Sequence, residues 1–316
     1  MVAVCLCTHE PRADLLAAQL GSLRAQSETG WRALVDDDAS SEAGWNAVRA
    51  DLGGDARFDV RRCADRAGPY GAFGRLYARV GADVEWVAPC DQDDVWTADH
   101  LAVLLAAARD ARADVALAFG DARVVRDDGT VLSGTYWTTR DEFHDDLSDL
   151  LATNTVTGAA SLVRRDVLDV ALPFPAELDG SFHDHWLAVC ALALGELADV
   201  DRALVDYVQH DANVVGWSPR RRPGERSRGE PQAARAARDR ERHLERPRLW
   251  ARTLLERAPH IAPRKRRALE RAARAGLPWL AAGALAEQLR PRRTLEARRR
   301  ALRGALLGRG RAARDR

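Results

Sequence analysis

Two periods of apolar positions alternate along the first hundred residues. Short β-prone runs occur at Val2–Cys7, Trp31–Val35, Phe58–Cys63 and from Val84 onward. Between them, Arg12–Ala25 carries Leu15, Leu16, Gln19, Leu20 and Leu23 along one side at helical spacing. Ser41–Leu52 and Arg75–Val80 read as further helices, the latter entered through a glycine-rich bend at Gly68–Gly74. An Ala/Leu-rich helix runs from Ala98 to about Arg109. The order β-α-β-α-β-α-β predicts a parallel sheet with helices on its faces. Ligands of such open sheets sit beyond the carboxyl ends of the strands. Thr8, Asp38 and Asp91–Asp94 all fall at those ends.

The pattern then changes. Val115–Phe119 and Ala122–Val125 read as strands, and Asp127-Asp128-Gly129 as a turn into Thr130–Leu132. Asn154–Ala160 is a small-residue segment running into an apolar Ser161–Val163. After a loop with Pro173 and Pro175, Phe182-His183-Asp184-His185-Trp186 opens an apolar helix to Leu194. Leu197–Asp206 is strand-like and leads into Tyr207-Val208-Gln209-His210-Asp211-Ala212-Asn213. Ser218–Gly229 is a polar, Pro/Gly-containing linker, and helices are expected at Gln232–Arg257, Pro263–Ala275 and Leu295–Leu307. Leu249, Trp250, Leu254 and Leu255 make an apolar stripe in the first of these. The division expected is a domain at 1–217 and an Arg-rich helical extension at 218–316.

Charge sharpens that division. The net charge of +1 conceals 30 basic and 10 acidic residues from Pro219 onward, against 18 basic and 37 acidic before it. A folded acidic body with a basic segment suits an anionic partner or the body itself. The extension reads either as a solvated helical tail or as a surface for anionic lipid headgroups. No nucleic-acid motif accompanies the charge, so no nucleic-acid partner is expected. Hydrophobic content of 46% with 30% charged residues is globular. The five cysteines form no CxxC pair, which fits a reduced, cytoplasmic chain. No leader peptide is apparent, and no run reaches the ~20 apolar residues of a spanning helix.

The chemistry concentrates at Asp91-Gln92-Asp93-Asp94-Val95-Trp96, where an apolar strand feeds three carboxylates within four residues. Acids this close repel one another. The plain reading is a solvated acidic turn; the alternative is a site for a hard divalent cation shared with substrate phosphates.

Taken in order, Thr8-His9-Glu10, Asp37-Asp38-Ala39-Ser40, Asp91-Gln92-Asp93-Asp94-Val95-Trp96, Asn154-Thr155-Val156-Thr157-Gly158, His183-Asp184-His185-Trp186 and Tyr207–Asn213 resemble the family 2 glycosyltransferases, and specifically their rhamnosyltransferase-like branch. The resemblance covers about the first two-thirds of the chain. It implies the GT-A fold, a mixed sheet flanked by helices, and a nucleotide-sugar donor such as dTDP-rhamnose or a UDP-hexose. Mg²⁺ or Mn²⁺ is the implied cofactor. Asp184 matches the family's general base. Thr8, Asp38, Asp91 and Gln92 fall on the nucleotide-sugar side, Asp93 and His210 on the metal, and Asp94, Trp96, Gly158 and Trp186 on the acceptor side. Three positions depart from the family pattern: His9-Glu10 replaces Tyr-Asn, Ala39 replaces a glycine, and Val208 stands where arginine is common.

Each of these residues has a structural competitor. Asp184 is also a good helix N-cap, and Asp38 a good turn former before Ser40. His210 reads equally as a hydrogen-bonded loop histidine. Trp186 and Trp217 suit either stacking on a sugar or core packing. His183 and His185, two apart, do not share a helix face and make no metal pair. The function expected is an inverting, metal-dependent hexosyltransferase in cell-surface polysaccharide, glycolipid or secondary-metabolite glycosylation. It would work in the cytoplasm or at the inner face of the plasma membrane, touching anionic lipid through residues 219–316. The alternatives are a nucleotidyltransferase, disfavoured because Thr8–Arg12 lacks a glycine-rich phosphate loop, and an inactive binding module of the same fold.

Overall fold

The structure is a computed structural model that describes residues 1–109, 114–137, 145–175, 182–211, 213, 217 and 244–274. Its strands are β1 (Val2–Thr8), β2 (Trp31–Asp37), β3 (Phe58–Arg62), β4 (Trp86–Cys90), β5 (Val95–Trp96), β6 (Val115–Arg126), β7 (Val131–Ser133), β8 (Ser161–Arg164) and β9 (Glu196–Gln209). They form one sheet in the order β3-β2-β1-β4-β8-β6-β9-β5, with β7 paired to β6. The first four strands are parallel, as the alternation predicts. The sheet becomes mixed at β8, which runs antiparallel to both β4 and β6.

Helices cover both faces. On one side lie α1 (Ala13–Arg24), α2 (Glu42–Leu52) and α4 (His100–Ala108), around a core that includes Leu16, Leu20, Val48, Leu101 and Leu104. On the other lie α3 (Gly68–Tyr77), α5 (Leu147–Ala152), α6 (Val167–Ala171) and α7 (His183–Leu194), with Phe73, Tyr77, Leu150, Leu168 and Trp186. Strand β1 serves both: Ala3 and Cys5 enter one core, Val2, Val4 and Leu6 the other. Burial on both faces explains its unbroken apolar run. Helix α7 is buried from His185 to Ala193 without interruption, so its sequence is apolar all round.

Several elements differ from expectation. The bend at Gly68–Gly74 is itself helical. Pro69 suits a first turn, and Tyr70, Phe73, Leu76 and Tyr77 bring one apolar face to the core, which outweighs the glycines' low propensity. The two strands expected at Val115–Phe119 and Ala122–Val125 are one, with register shifts against β9 around Gly120 and Asp121. A Cβ at Gly120 would lie 2.9 Å from the Arg202 carbonyl, so the close approach of β9 needs the glycine. Helices α5 and α6 carry too few residues to leave a period in the sequence.

Composition changes at residue 218, but packing continues beyond it. Helices α8 (Arg246–Arg257) and α9 (Pro263–Arg274) bury Trp250, Ala251, Leu254, Leu269 and Ala272 against the face that holds α7. The Trp250 ring sits 5.4 Å from that of Trp186 and 4.7 Å, edge-on, from His185. Arg257 donates to the carbonyls of Val170, Ala171 and Pro173 at 3.2, 3.1 and 2.7 Å, closing the end of α6. The expected helix at Leu295–Leu307 and the start of the one at Gln232 lie outside the described residues. No helix among the described residues is long and apolar enough to cross a membrane.

Trp250 is fully buried although the sequence around it is Arg-rich. Trp250→Ala is therefore expected to cost about 3–5 kcal/mol, read as a lower urea midpoint. A tail merely solvated beside the body would leave the midpoint unchanged.

Candidate active site

Three consecutive acids end β2, and the chain neutralises each of them. Asp36 is buried between the guanidinium groups of Arg61 and Arg79. Asp37 accepts from the Thr8 hydroxyl at 3.0 Å and the Ser40 hydroxyl at 2.6 Å. Asp38 accepts from the backbone N–H of Ala67 and Gly68 at 2.8 and 2.9 Å and pairs with Arg75. Ala39, where the family pattern has glycine, still makes the bend: its φ is 58°. A non-glycine residue in this left-handed region costs roughly 1–2 kcal/mol, and the bonds of Asp37 and Asp38 on either side hold it there.

The acids after β4 are treated differently. Asp94 is buried and accepts from the Val208 N–H at 3.2 Å. Asp93 lies 2.9 Å from His210 Nε2. Its side chain keeps 22% exposure against 7% for His210, so the carboxylate is the reachable member of the pair. Asp91 is half-buried, and among the described residues no donor or cation reaches it. Burial, then the charges of Asp93 and Asp184, push its carboxyl up to about 7. Burial, then the charges of Asp91 and Asp93, raise Asp94 well above the usual carboxylate range, against the lowering by its bond to the Val208 N–H.

That electrostatic reach brings Asp184 to the same edge. Phe182 takes the N-cap position of α7 and offers no side-chain acceptor, so Asp184 is not the cap but a first-turn acid. Its Oδ1 accepts from the His185 N–H at 2.6 Å within the first turn of the helix. Gly158 is the reason it fits. A Cβ there would fall 2.8 Å from Asp184 Cβ, so the small-residue segment before β8 exists to admit this side chain. His183 is stacked on Phe73 at 3.7 Å with its Nδ1 3.1 Å from the Tyr77 hydroxyl; burial drives its pKa down to about 3 and keeps it neutral. His185 is buried with Nε2 2.5 Å from the Leu150 carbonyl.

Five of the expected site residues have their contacts inside the chain. Trp186, expected on the acceptor side, is a core residue: it is fully buried and its Nε1 donates to the Ala171 carbonyl at 3.0 Å. Trp96, also expected there, is buried and stacked on His100 at 3.9 Å. The Gln92 amide accepts from His9 N–H at 2.8 Å and donates to His9 O at 3.2 Å, tying the ends of β4 and β1 together. Thr8 and Asp38, with their polar atoms engaged inside the chain, form the wall beneath the edge.

Tyr136 and Trp137, which no sequence motif marks, join Tyr207 and Trp217 in one aromatic group. Tyr136 stands edge-on to Trp137 at 5.0 Å and to Tyr207 at 5.3 Å, and accepts from Trp217 Nε1 at 3.3 Å through its carbonyl. Trp137 Nε1 donates to Thr157 Oγ1 at 2.9 Å, one residue from Gly158, while burial, Tyr136 and then Asp94, Asp93 and Asp91 raise the Tyr207 hydroxyl's pKa. These aromatics join the acids to the Gly158 segment. Only their scattered positions in sequence hid them.

The chemistry of the donors fits a hard divalent cation: Asp91 and Asp93 offer oxygen, His210 a nitrogen, and the acids carry more negative charge than nearby groups offset. Among the described residues no three side chains already converge in a coordinating cluster. Substrate oxygens would have to complete the shell.

The glycosyl transferase family 2 model matches residues 3–171. No curated protein sequence matches the chain. Among solved structures, S. aureus TarS 1-349 in complex with UDP-GlcNAc is similar with a TM-score of 0.57 and 19% identity, over 86% of this chain and 71% of that one. Mannosyltransferase PcManGT from Pyrobaculum calidifontis, in complex with GDP-Man and Mn²⁺, gives 0.50 and 20% identity over 97% and 79%. At such identities the likeness is one of fold, and it is the GT-A architecture implied by the sequence.

A carboxyl held up at about 7 in the folded chain, against 3.8 ordinarily, binds its proton more tightly when folded. The metal-free protein should therefore lose stability as pH rises from about 4 to 7 and level off above. Mn²⁺ with a nucleoside diphosphate should bind more tightly over the same interval, because the cation needs the carboxylate. Thermal melts with and without Mn²⁺ at pH 5.5 and 8 measure both, and Asp91→Asn should flatten both slopes.

Proposed function

Because the chain belongs to glycosyl transferase family 2, we propose that it is an inverting, metal-dependent hexosyltransferase acting on a hydroxyl acceptor. The donor is dTDP-rhamnose or a UDP-hexose, and the acceptor a cell-surface polysaccharide, a glycolipid or a secondary metabolite. One observation carries the reading: Asp93 pairs with His210 at the carboxyl edge of the sheet, and the charges of Asp93 and Asp184 both act on the half-buried Asp91. The TarS complex with UDP-GlcNAc and the mannosyltransferase complex with GDP-Man and Mn²⁺ favour a nucleotide-sugar donor and a divalent cation for this chain too.

Asp93, with His210 Nε2 2.9 Å away and Asp91 beside it, would hold the cation together with donor phosphate oxygens. Bound there, Mg²⁺ or Mn²⁺ supplies Lewis-acid stabilisation of the diphosphate leaving group, worth several kcal/mol. Asp184 takes the proton from the attacking acceptor hydroxyl, a contribution of ~10²–10⁴ in rate. Its bond to the His185 N–H fixes one oxygen, and Gly158 leaves room for the carboxylate to stand beside the edge. A single displacement assisted by one base inverts the anomeric centre. Asp94 secures the late loop through Val208, and Gln92 fixes the first turn, so both shape the donor pocket by positioning backbone. Thr8 and Asp38 act the same way through Asp37, Ala67 and Gly68.

The test is release of nucleoside diphosphate from a panel of dTDP-rhamnose, UDP-glucose, UDP-galactose and GDP-mannose, with Mn²⁺ or EDTA. Metal-dependent turnover of one donor is expected, and no turnover of any donor would sink the reading. With that donor, Asp184→Asn should lower kcat by ~10²–10⁴ while leaving Mn²⁺ and nucleoside diphosphate binding intact. Gly158→Ala should also lower kcat although every carboxylate remains.

A further inference from the structure

Most arginines in the described body pair with a carboxylate, Arg49, Arg66 and Arg126 being exposed exceptions scattered over it. Arg61 and Arg79 meet Asp36, Arg75 meets Asp38, Arg123 meets Asp206, and Arg202 meets Asp99. Helix α9 breaks this habit. Arg264, Arg267, Arg271 and Arg274 are all exposed and recur at spacings of three, four and three, which is one stripe along a helix. Ala268, Leu269 and Ala272 on the other side are buried against the body, so the stripe has a fixed outward direction. Among the described residues no carboxylate pairs with any of the four, and Glu196, which reaches the start of the helix, is taken by Lys265 at 2.9 Å. The chain after Arg274 adds 11 arginines and three acids, so its composition does not supply the missing negative charge.

We propose that the arginine face of α9 docks the protein on an anionic lipid bilayer through headgroup contact without insertion. The stripe runs over the eleven residues Arg264–Arg274, about 15 Å of helix, and presents its charge along a line that a plane of headgroups matches. Large apolar side chains exposed among the described residues are Met1, Val131 and Phe182, none of them on α8 or α9, so the contact is electrostatic. The body up to Ser218 carries 18 basic and 37 acidic residues, and any polyanion repels it. The protein must therefore approach with α9 leading and the acidic body turned away. A flat bilayer permits that one-sided contact, whereas a nucleic acid would bring its phosphates alongside the body. Docking also orients the site, since Trp250 on α8 packs against His185, the residue after Asp184.

Co-sedimentation of the full-length protein with vesicles tests this, and it requires no turnover, so its outcome is separate from that of the glycosyl transfer. Binding is expected to phosphatidylcholine vesicles containing a quarter phosphatidylglycerol at 50 mM NaCl, to disappear at 500 mM NaCl, and to be absent with phosphatidylcholine alone. Replacing Arg264, Arg267, Arg271 and Arg274 together by Ala should weaken it by about 10²-fold or more. Replacing the exposed Arg49, Arg66 and Arg126 of the body instead should leave it unchanged. The helix-favouring alanines keep α9 intact, which an unchanged melting temperature verifies; if the quadruple variant melts early, Arg267→Ala with Arg271→Ala is used and should weaken binding by about tenfold. Undiminished binding by the folded α9 variant, equal binding to phosphatidylcholine alone, or tighter binding to duplex DNA than to the anionic vesicles would each overturn the proposal.

Discussion

The constraint on which this molecule depends is that buried or half-buried carboxylates at a sheet edge need opposing charge or donors. Two strands meet that demand in opposite ways. At the end of β2, every acid finds its partner within the chain: two guanidinium groups for Asp36, two hydroxyls for Asp37, two backbone N–H groups and Arg75 for Asp38. At the end of β4, Asp94 has a single backbone N–H, Asp93 has a histidine, and Asp91 faces other carboxylates. Removing one partner from a buried ion pair leaves a costly uncompensated charge. The β2 cluster therefore behaves as architecture, while the β4 cluster is a charge imbalance that a cation from outside can relieve.

Topology makes the second cluster possible. β6 and β9 lie side by side in parallel as far as Arg126 and Gln209, which carries His210 to the carboxyl edge. The two-residue strand β5 sets the last step. It pairs Val95 with Asp206 and Trp96 with Val205, so the chain before it runs antiparallel to the chain after Tyr207. Asp94 then meets the Val208 N–H and Asp93 meets His210, partners more than a hundred residues away in sequence. A slip of one residue in this pairing would turn His210 to the other side, because side chains alternate along a strand.

What the sequence revealed follows from whether a residue's neighbours are local. The four parallel strands and their helices were legible because alternating apolar periods are a local signal, and the acids at strand ends were legible for the same reason. The acceptor-side expectation for Trp96 and Trp186 gives way to packing because a tryptophan beside a polar motif looks alike whether it faces a ligand or the core; His100, one helical turn on, and Trp250, far along the chain, decide it. Helix α3 was hidden by its glycines, since the tertiary contacts of Phe73 and Tyr77 outweigh local propensity. The aromatic group of Tyr136, Trp137, Tyr207 and Trp217 comes from separate stretches and leaves no pattern at all. In the C-terminal region, arginine content masked the few buried positions of α8 and α9 on which packing depends.

The same electrostatic reasoning connects the two ends of the protein. An acidic body and a basic extension nearly cancel in sum, yet the outer arginines of α9 pair with no carboxylate among the described residues. Lys265 with Glu196 is an ion pair across their boundary, whereas Arg257 spends its charge on carbonyl oxygens and the outer arginines of α9 face solvent. Had α9 served to neutralise the body, its outer arginines would lie along the acidic edge beside Asp91. They lie on a helix whose inner face packs against α5 and α8, on the flank of the sheet that carries α7. Charge of each sign is thus left unmatched at its own place, the negative at the end of β4 and the positive along α9. Each calls for a partner of opposite sign, and the fold holds the two places in fixed relation through Trp250, His185 and Asp184.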